Sequence, residues 1–446
     1  MPATTRAAEK HRRRCGCRAF ATSSPEPVKT TLFLNAAQVV TCAGPARARR
    51  GAEMADVRAV AGVAVAIEGE LVSAVGPQEQ LLKQFPDAEQ VDCSHTVITP
   101  GLVDSHTHAV FGRARYEEHE LRAAGSSYME IAQKGGGIHA SVRDLRSREE
   151  DELYHMTLER VHRLAGYGST TIEIKSGYGL SLDDELKSLR VIRRVAESTP
   201  IRIIPTLLAA HEIPLEQRQS PNGRSEYVEL IVKTILPAVA REKLALFSDV
   251  FCEPGVFTLQ ETRAILEASR AAGLGIKLHA DELEPAGGAE LAADIGAVSA
   301  DHLAAISARG IKALAASDTV ATLLPGTMLF LGRTKQAPAR ALIDAGAAVA
   351  LATDFNPGTS PTVNFPLILT LAVSQLRMSA SEALVAATVN GAAAVGLAGS
   401  TGQLAPGFSA DLSIFDVADF REIPYWYGDR RCKATWVGGK PCHARE

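Results

Sequence analysis

The sequence predicts an α/β fold, a (β/α)8 barrel of the TIM type with a small β domain built from both chain ends. Short runs rich in β-branched residues alternate with helical stretches from residue 97 onward, as the strands and helices of a parallel barrel do. A doubly wound open sheet is the alternative, but it would not need eight similar units. The eight runs lie at 97–104, 170–174, 201–208, 247–252, 274–278, 297–300, 319–324 and 348–353.

The stretches between these runs are rich in Ala, Leu, Glu and Arg, which favour helix. Helices are therefore expected over 150–166, 183–197, 259–272 and 336–345. A further helix is expected over 380–396, after the last barrel strand.

Strand patterns also occur before and after the predicted barrel. The alternation over 31–42 indicates strands, and 58–75 is a predicted hairpin that turns at residues 68–70. Residues 434–437 form the last predicted strand, which turns at Gly438 and Gly439. The predicted domains are a disordered basic extension over 1–27, a composite β domain over 28–96 and 398–446, and the barrel over 97–397.

Composition excludes several classes of protein. Hydrophobic residues are 46% and charged residues 22% of the 446 positions, which is ordinary for a globular protein. A net charge of −4 gives no reason to expect nucleic-acid or membrane binding, and no apolar run reaches the length of a membrane span. Seven cysteines at irregular spacing favour reduced thiols in the cytoplasm over a disulfide framework.

Residues 1–27 differ from the rest of the chain. They carry six basic side chains against two acidic ones and few apolar residues. This Arg-rich, Ser-containing composition also occurs in organelle transit segments. A disordered extension or a misassigned start codon is the simpler interpretation, and we expect a cytoplasmic protein.

Polar side chains follow the predicted strands at the edge where a barrel of this type has its active site. His106 and His108 follow strand one, and residues two apart in an extended chain point to the same side. Two neutral imidazoles are half a site for zinc or iron(II), although such a pair also arises by chance. The other strand ends carry Lys175, His211, Glu253, His279 with Glu282, Asp301 with His302, and Asp354. Because buried ionisable groups are costly unless paired or bound to a metal, this set predicts a metal site.

The constellation resembles the amidohydrolase superfamily, with its HxH on strand one, a histidine on each of strands five and six, and an aspartate on strand eight. This resemblance covers about residues 30–440, and within it the match narrows to the imidazolonepropionase family. The segments that carry this resemblance are 106–112 with Arg115, 135–138, 173–180, 210–214, 279–282, 299–303, 324–327 and 352–358.

The resemblance implies a metal centre and a reaction. His106, His108, His279 and Asp354 would bind one Zn²⁺ or Fe²⁺/Fe³⁺ ion per subunit. The implied reaction is hydrolysis of the cyclic amide of 4-imidazolone-5-propanoate to N-formimidoyl-L-glutamate, in histidine degradation. The resemblance also suggests a homodimer.

The resemblance further implies which side chains act on the substrate. Arg115 would bind the carboxylate tail as a bidentate fork. Glu282 or His302 would be the principal base, and Asp354 is a further proton acceptor. The residues expected to bind the substrate are Arg115, Tyr178, His211, Glu282, Asn356, Gly358 and Thr359.

Three other functions compete with this interpretation. An aminohydrolase, or deaminase, of a purine or pyrimidine base shares the ligand pattern, but a neutral base needs no carboxylate clamp such as Arg115. A binuclear cyclic amidase would need a carboxylated lysine on strand four, where the sequence has Glu253, while Lys175 lies on strand two. A catalytically silent binding protein would not need the full ligand set.

Overall fold

The fold is taken from a computed structural model that describes residues 29–126, 130–131 and 135–445. The predicted basic extension over 1–27 lies outside these residues. Eight parallel strands form the central sheet, and each pairs with the next along the chain. Barrel strands one to eight are, in order, Leu102–Asp104, Ser169–Lys175, Arg202–Ala210, Phe247–Cys252, Gly275–Ala280, Ser299–His302, Val320–Leu323 and Val349–Leu351.

The barrel closes through the segments that follow strands one and eight. The Asp354 N–H donates to the His106 carbonyl at 3.0 Å, and the His108 N–H donates to the Phe355 carbonyl at 2.9 Å. The predicted (β/α)8 barrel is confirmed, and three predicted metal ligands lie at its seam.

The expectation of one continuous strand over 97–104 is wrong. Val97–Pro100 belongs to a different sheet, and only Leu102–Asp104 lies in the barrel. Gly101 separates the two strands, and a Cβ there would lie 2.0 Å from Thr170 Oγ1. The chain therefore passes from one sheet to the other at a position where barrel strand two leaves no room for a side chain.

Two small sheets flank the barrel, and one of them contains strands from both chain ends. Phe33 and Val65 of the four-stranded sheet pack against Ile98 and Leu412 of the six-stranded sheet. The six-stranded sheet has the order Lys440–Ala444, Cys432–Val437, Leu412–Phe415, Val97–Pro100, Gln38–Val40 and Ala59–Val60. The four-stranded sheet has the order Leu71–Pro77, Val63–Glu68, Thr30–Leu34 and Glu89–Asp92. Both predicted turns, at 68–70 and at 438–439, are confirmed.

Helices cover the outside of the barrel, and those predicted over 150–166, 183–197 and 259–272 are present with ends that differ by at most one residue. The helix predicted over 380–396 is wrong as a single element, because it is interrupted at Thr388, which has φ −123° and ψ −84°. The α-helices are Gln78–Gln84, Tyr116–Ala123, Ile138–Arg146, Glu150–Ala165, Leu182–Ser198, Leu215–Arg218, Gly223–Leu230, Leu236–Glu242, Leu259–Ala271, Gly288–Asp294, Ala308–Ala315, Pro325–Phe330, Ala339–Asp344, Phe365–Ser374, Ala380–Ala387 and Val389–Ala394. Ile231–Ile235 is a π-helix, and Gly51–Ala55 and Phe420–Glu422 are 3₁₀ helices.

Within the described ranges, every helix is too short or too polar to cross a lipid bilayer.

Candidate functional site

Four predicted metal ligands meet at the carboxyl end of the barrel. His106 and His108 follow strand one, His279 lies in strand five, and Asp354 follows strand eight. All four are at most 3% exposed. The barrel therefore brings residues that are far apart in sequence to one buried place.

The ligand atoms of these four side chains face one another. His106 Nε2 lies 3.3 Å from His108 Nε2, which lies 3.5 Å from His279 Nε2. Asp354 Oδ1 lies 3.5 Å from both His106 Nε2 and His108 Nε2. Two sets of three ligand atoms converge within 4.8 Å, namely those of His106, His108 and His279 and those of His106, His302 and Asp354.

The outer nitrogens of two ligand imidazoles face buried carboxylates. His106 Nδ1 lies 2.7 Å from Asp301 Oδ2, and His279 Nδ1 lies 3.0 Å from Asp249 Oδ2. A proton on Nδ1 leaves the Nε2 lone pair of His106 directed into the site. Burial also lowers the pKa of His106 and of His108 well below the ordinary value, which favours neutral rings.

This donor set fits a metal ion. Imidazole lone pairs and a carboxylate oxygen would repel one another at such distances unless a cation lay among them. Three imidazoles and one carboxylate are also the ligand types that zinc and iron(II) accept. Burial raises the pKa of Asp354 to about 6, and the Thr327 hydroxyl donates to its Oδ2 at 2.5 Å.

Two further titratable side chains flank the ligands. His302 Nε2 lies 3.6 Å from Glu282 Oε2. Burial raises the pKa of Glu282 well above its ordinary value, and the charges of Asp354 and Glu253 add to the increase. Burial lowers the pKa of His302. In such a pair, the protonated Glu282 carboxyl can donate a proton and the neutral His302 imidazole can accept one.

Glu253, at the end of barrel strand four, holds the segment that carries Glu282. Its carboxylate accepts the N–H groups of Glu282 and Leu283 at 3.2 Å and of Glu284 at 2.8 Å. Glu253 is itself only 3% exposed. The position of the Glu282 backbone therefore depends on a carboxylate from the neighbouring strand.

Arg115 and the segment after Asp354 form a second part of the site. Arg115 is 6% exposed, and its Nε and Nη1 have no hydrogen-bond partner among the described residues. Glu118 Oε2 lies 3.6 Å from Arg115 Nε. Asn356 Oδ1 accepts the N–H groups of Gly358 at 2.9 Å and Thr359 at 2.7 Å, which fixes the turn that faces the guanidinium. A buried guanidinium with free donors suits an anionic group.

Tyr178 and His211 line the third side. The His211 ring stacks on that of His108 with centroids 5.1 Å apart, and the Tyr178 ring lies 5.3 Å from that of His211. His211 Nδ1 lies 2.9 Å from the Gly177 carbonyl, so this nitrogen carries the proton. Burial lowers the pKa of His211 to about 3. The fully buried Glu185 accepts the N–H groups of Gly177, Gly179 and Leu180, which fixes the loop around Tyr178.

Comparison with known proteins identifies the family of this site. The profile described as "Amidohydrolase family" matches residues 134–443, and "Imidazolonepropionase-like composite domain, bacteria" matches residues 64–88. A protein of Geobacillus kaustophilus named imidazolonepropionase is 46% identical over 415 residues, which cover 92% of this chain and 97% of that relative. The imidazolonepropionase of Geobacillus thermodenitrificans is 45% identical with the same coverage.

The chain belongs to the imidazolonepropionase family.

Solved structures with lower identity share the fold of this family. An adenosine deaminase from Xanthomonas campestris with bound Zn superimposes with a TM-score of 0.72 at 19% identity, covering 94% of each chain. A triazine hydrolase variant gives a TM-score of 0.71 at 17% identity, covering 93% of this chain and 95% of its own. At these identities the likeness shows the fold alone.

Sequence reasoning about this member of the imidazolonepropionase family missed the buried charged side chains that lie behind the ligands. Asp249 and Lys277 lie inside barrel strands four and five, and both are buried. Glu173 of strand two is also buried and bonds to both lysines of the site, Lys175 and Lys277. The signal was present, because a charged residue in the middle of a strand that must be buried needs a partner.

Proposed function

We propose that this chain is a metal-dependent hydrolase that opens the cyclic amide of 4-imidazolone-5-propanoate to N-formimidoyl-L-glutamate, a step of histidine degradation. The observation that carries the proposal is the buried Arg115 guanidinium, which has two donors without a hydrogen-bond partner among the described residues and lies against the turn at Gly358. A cyclic amide with a carboxylate tail needs both a hydrolytic centre and a cationic clamp. Family membership supports the same reaction.

His106, His108, His279 and Asp354 would hold one zinc or iron ion per subunit, as their converging ligand atoms suggest. Such an ion, when bound, supplies Lewis acidity and lowers the pKa of water. The chain's own contribution is to keep His106 and His108 neutral through burial, and to direct the rings of His106 and His279 inward through the carboxylates behind them.

Glu282 and His302 would move the protons of the reaction. Because burial keeps Glu282 protonated, it is suited to donate to the ring nitrogen that leaves. His302 Nε2, neutral and 3.6 Å away, is suited to accept a proton or to bond to the developing oxyanion. Asp354 is a further acceptor, since burial raises its pKa to about 6.

Arg115 would bind the propanoate carboxylate, with Tyr178 and His211 against the ring. The Asn356 side chain fixes the turn at Gly358 and Thr359, which would complete the pocket. Glu282 would contact the ring as well as transfer protons. A deaminase of a purine or pyrimidine base remains the alternative, but its neutral substrate would leave the buried Arg115 Nε and Nη1 donors without an anionic ligand to bond to.

We also propose the domain division predicted from the sequence, with a disordered extension at 1–27, a composite β domain at 28–96 and 398–446, and the hydrolase barrel at 97–397.

We further propose that the protein is a homodimer. Its proposed location is the cytoplasm, without nucleic-acid or membrane partners. Size measurement in solution tests the dimer, and deletion of 1–27 should leave turnover intact.

The test is metal analysis of the purified protein followed by assay on 4-imidazolone-5-propanoate, guanine and a hydantoin. We expect about one zinc or iron per subunit and loss of the imidazolone absorbance, and no turnover of the other two compounds. Chelation should abolish the activity and added metal should restore it. Turnover of guanine without turnover of the imidazolone would favour the deaminase.

A further inference from the structure

Behind the ligand histidines, five charged side chains form a completely buried cluster. Glu173 and Lys175 come from barrel strand two, Asp249 from strand four, Lys277 from strand five and Asp301 from strand six. The side chain of each is 0% exposed. The charges of three carboxylates and two ammonium groups nearly balance. Burying these groups would be costly without close pairing.

The Lys175 ammonium lies within 4 Å of all three carboxylates in the cluster. Its Nζ lies 2.7 Å from Glu173 Oε1, 2.8 Å from Asp249 Oδ2 and 3.8 Å from Asp301 Oδ2. The same Asp249 oxygen lies 3.0 Å from Nδ1 of His279, and the same Asp301 oxygen lies 2.7 Å from Nδ1 of His106. This ammonium group therefore bonds to the carboxylate behind His279, whereas it lies beyond hydrogen-bond distance of the carboxylate behind His106.

Lys277 has the same burial but different close contacts. Its Nζ donates to the Ser105 carbonyl at 2.8 Å and lies 3.3 Å from Glu173 Oε1. It lies 3.8 Å from Asp301 Oδ2, beyond hydrogen-bond distance. Among the described residues, the carboxylates within ion-pair distance of Lys277 are those of Glu173 and Asp301, and Asp249 is not one of them. The two lysines thus differ in their link to the ligands while matching in burial and charge.

We propose that Lys175 is a positioning residue of the metal centre, which holds Asp249 so that His279 presents Nε2 to the metal. The inference rests on the metal site of the proposed function. The charged ammonium fixes the carboxylate behind the His279 ring, and hydrogen-bond partners of ligand histidines govern ring orientation and proton position. Without Lys175, the Asp249 side chain loses its closest cation and can turn away from His279.

The test compares zinc binding by the full-length Lys175→Met and Lys277→Met variants. Each protein is stripped with a chelator and titrated with zinc against a chelating indicator. Melting temperature is then recorded with and without zinc. For Lys175→Met we expect zinc affinity to fall about 10–100-fold and the zinc-dependent rise in melting temperature to shrink. For Lys277→Met we expect a change in zinc affinity of less than about threefold, although the metal-free protein should melt lower in both variants.

Three results would overturn the proposal. Lys175→Met could bind zinc as tightly as the unmodified chain, both variants could lose affinity equally, or both could gain affinity because a nearby positive charge is gone. If Lys175→Met yields no folded protein, Lys175→Gln against Lys277→Gln decides, since the amide keeps a donor for Asp249 but loses the charge. An unmodified chain that binds zinc without opening the ring would contradict the proposed function and leave the role of Lys175 intact.

Discussion

The Arg115 guanidinium occupies the space that a side chain at position 358 would need. A Cβ on Gly358 would lie 1.3 Å from Arg115 Nη2. The Gly358 carbonyl also accepts from Arg122 Nη2 at 3.2 Å. The Arg115 guanidinium can therefore occupy this position only because residue 358 is a glycine.

The substitution Gly358→Ala should raise KM by displacing Arg115. Losing a charge-assisted hydrogen bond costs about 1.5–3 kcal/mol, which is roughly 10–100-fold in KM, whereas kcat should change little. Steady-state kinetics on the imidazolone substrate measures both constants. Gly399→Ala is the matched control, because a Cβ there would have no neighbour within 4 Å. An unchanged KM in Gly358→Ala would show that Arg115 does not bind the tail.

Replacing Arg115 itself should remove selectivity for the carboxylate. Arg115→Ala is expected to raise KM about 10–100-fold for the propanoate and to leave the corresponding propanamide almost unaffected, because only the anion uses the guanidinium. Arg113→Ala serves as the control, since that side chain is 63% exposed. An equal rise in KM with the propanoate and the propanamide would mean that Arg115 stabilises the loop and does not bind the substrate carboxylate.

Removing the proton of Glu282 should affect kcat above all. An amide cannot act as an acid, so Glu282→Gln should lower kcat about 10²–10⁴-fold while zinc content stays at the level of the unmodified chain. Glu284→Gln, two residues further along and exposed, should keep kcat within about twofold. A normal kcat in Glu282→Gln would transfer the proton-donor role to His302 or Asp354.

Glu253 should make stability depend on pH in a defined direction. Burial raises its pKa from 4.5 to about 7, against backbone hydrogen bonds that lower it. The folded chain therefore binds the Glu253 proton more tightly than the unfolded chain does. This proton adds to the free energy of unfolding fully below the unfolded-state pKa, and the addition is lost as pH rises through about 7. Glu253→Gln does not titrate, so its melting temperature relative to the unmodified chain should increase between about pH 5 and pH 8. A difference in melting temperature between the variant and the unmodified chain that does not change with pH would contradict the raised pKa of Glu253.

The sequence predicted the barrel and the site because both follow from short-range patterns. The runs at 170–174 and 247–252 are recognisable alone, and His106 and His108 follow strand one directly. The carboxyl ends of barrel strands must meet, so residues such as His279 and Asp354 could be assigned to one place before any contact was known.

Other features depend on packing that sequence patterns do not contain. The division at Gly101 arises from the Thr170 side chain, which belongs to another strand. Contacts of Lys175 with Asp249 and Asp301 depend on which strands become neighbours and on their register. The hold of Glu253 on the Glu282 backbone likewise exists only once strands four and five pair.

The most direct test of the central claim is hydrolysis of 4-imidazolone-5-propanoate in ¹⁸O-labelled water by the metal-loaded protein, with mass spectrometry of the product. Ring opening by water places one labelled oxygen in the new carboxylate. We therefore predict N-formimidoyl-L-glutamate about two mass units heavier than in ordinary water, formed faster than in a sample without protein. If the labelled product forms no faster with the protein than in the protein-free sample, the assignment of this chain as a ring-opening hydrolase is contradicted.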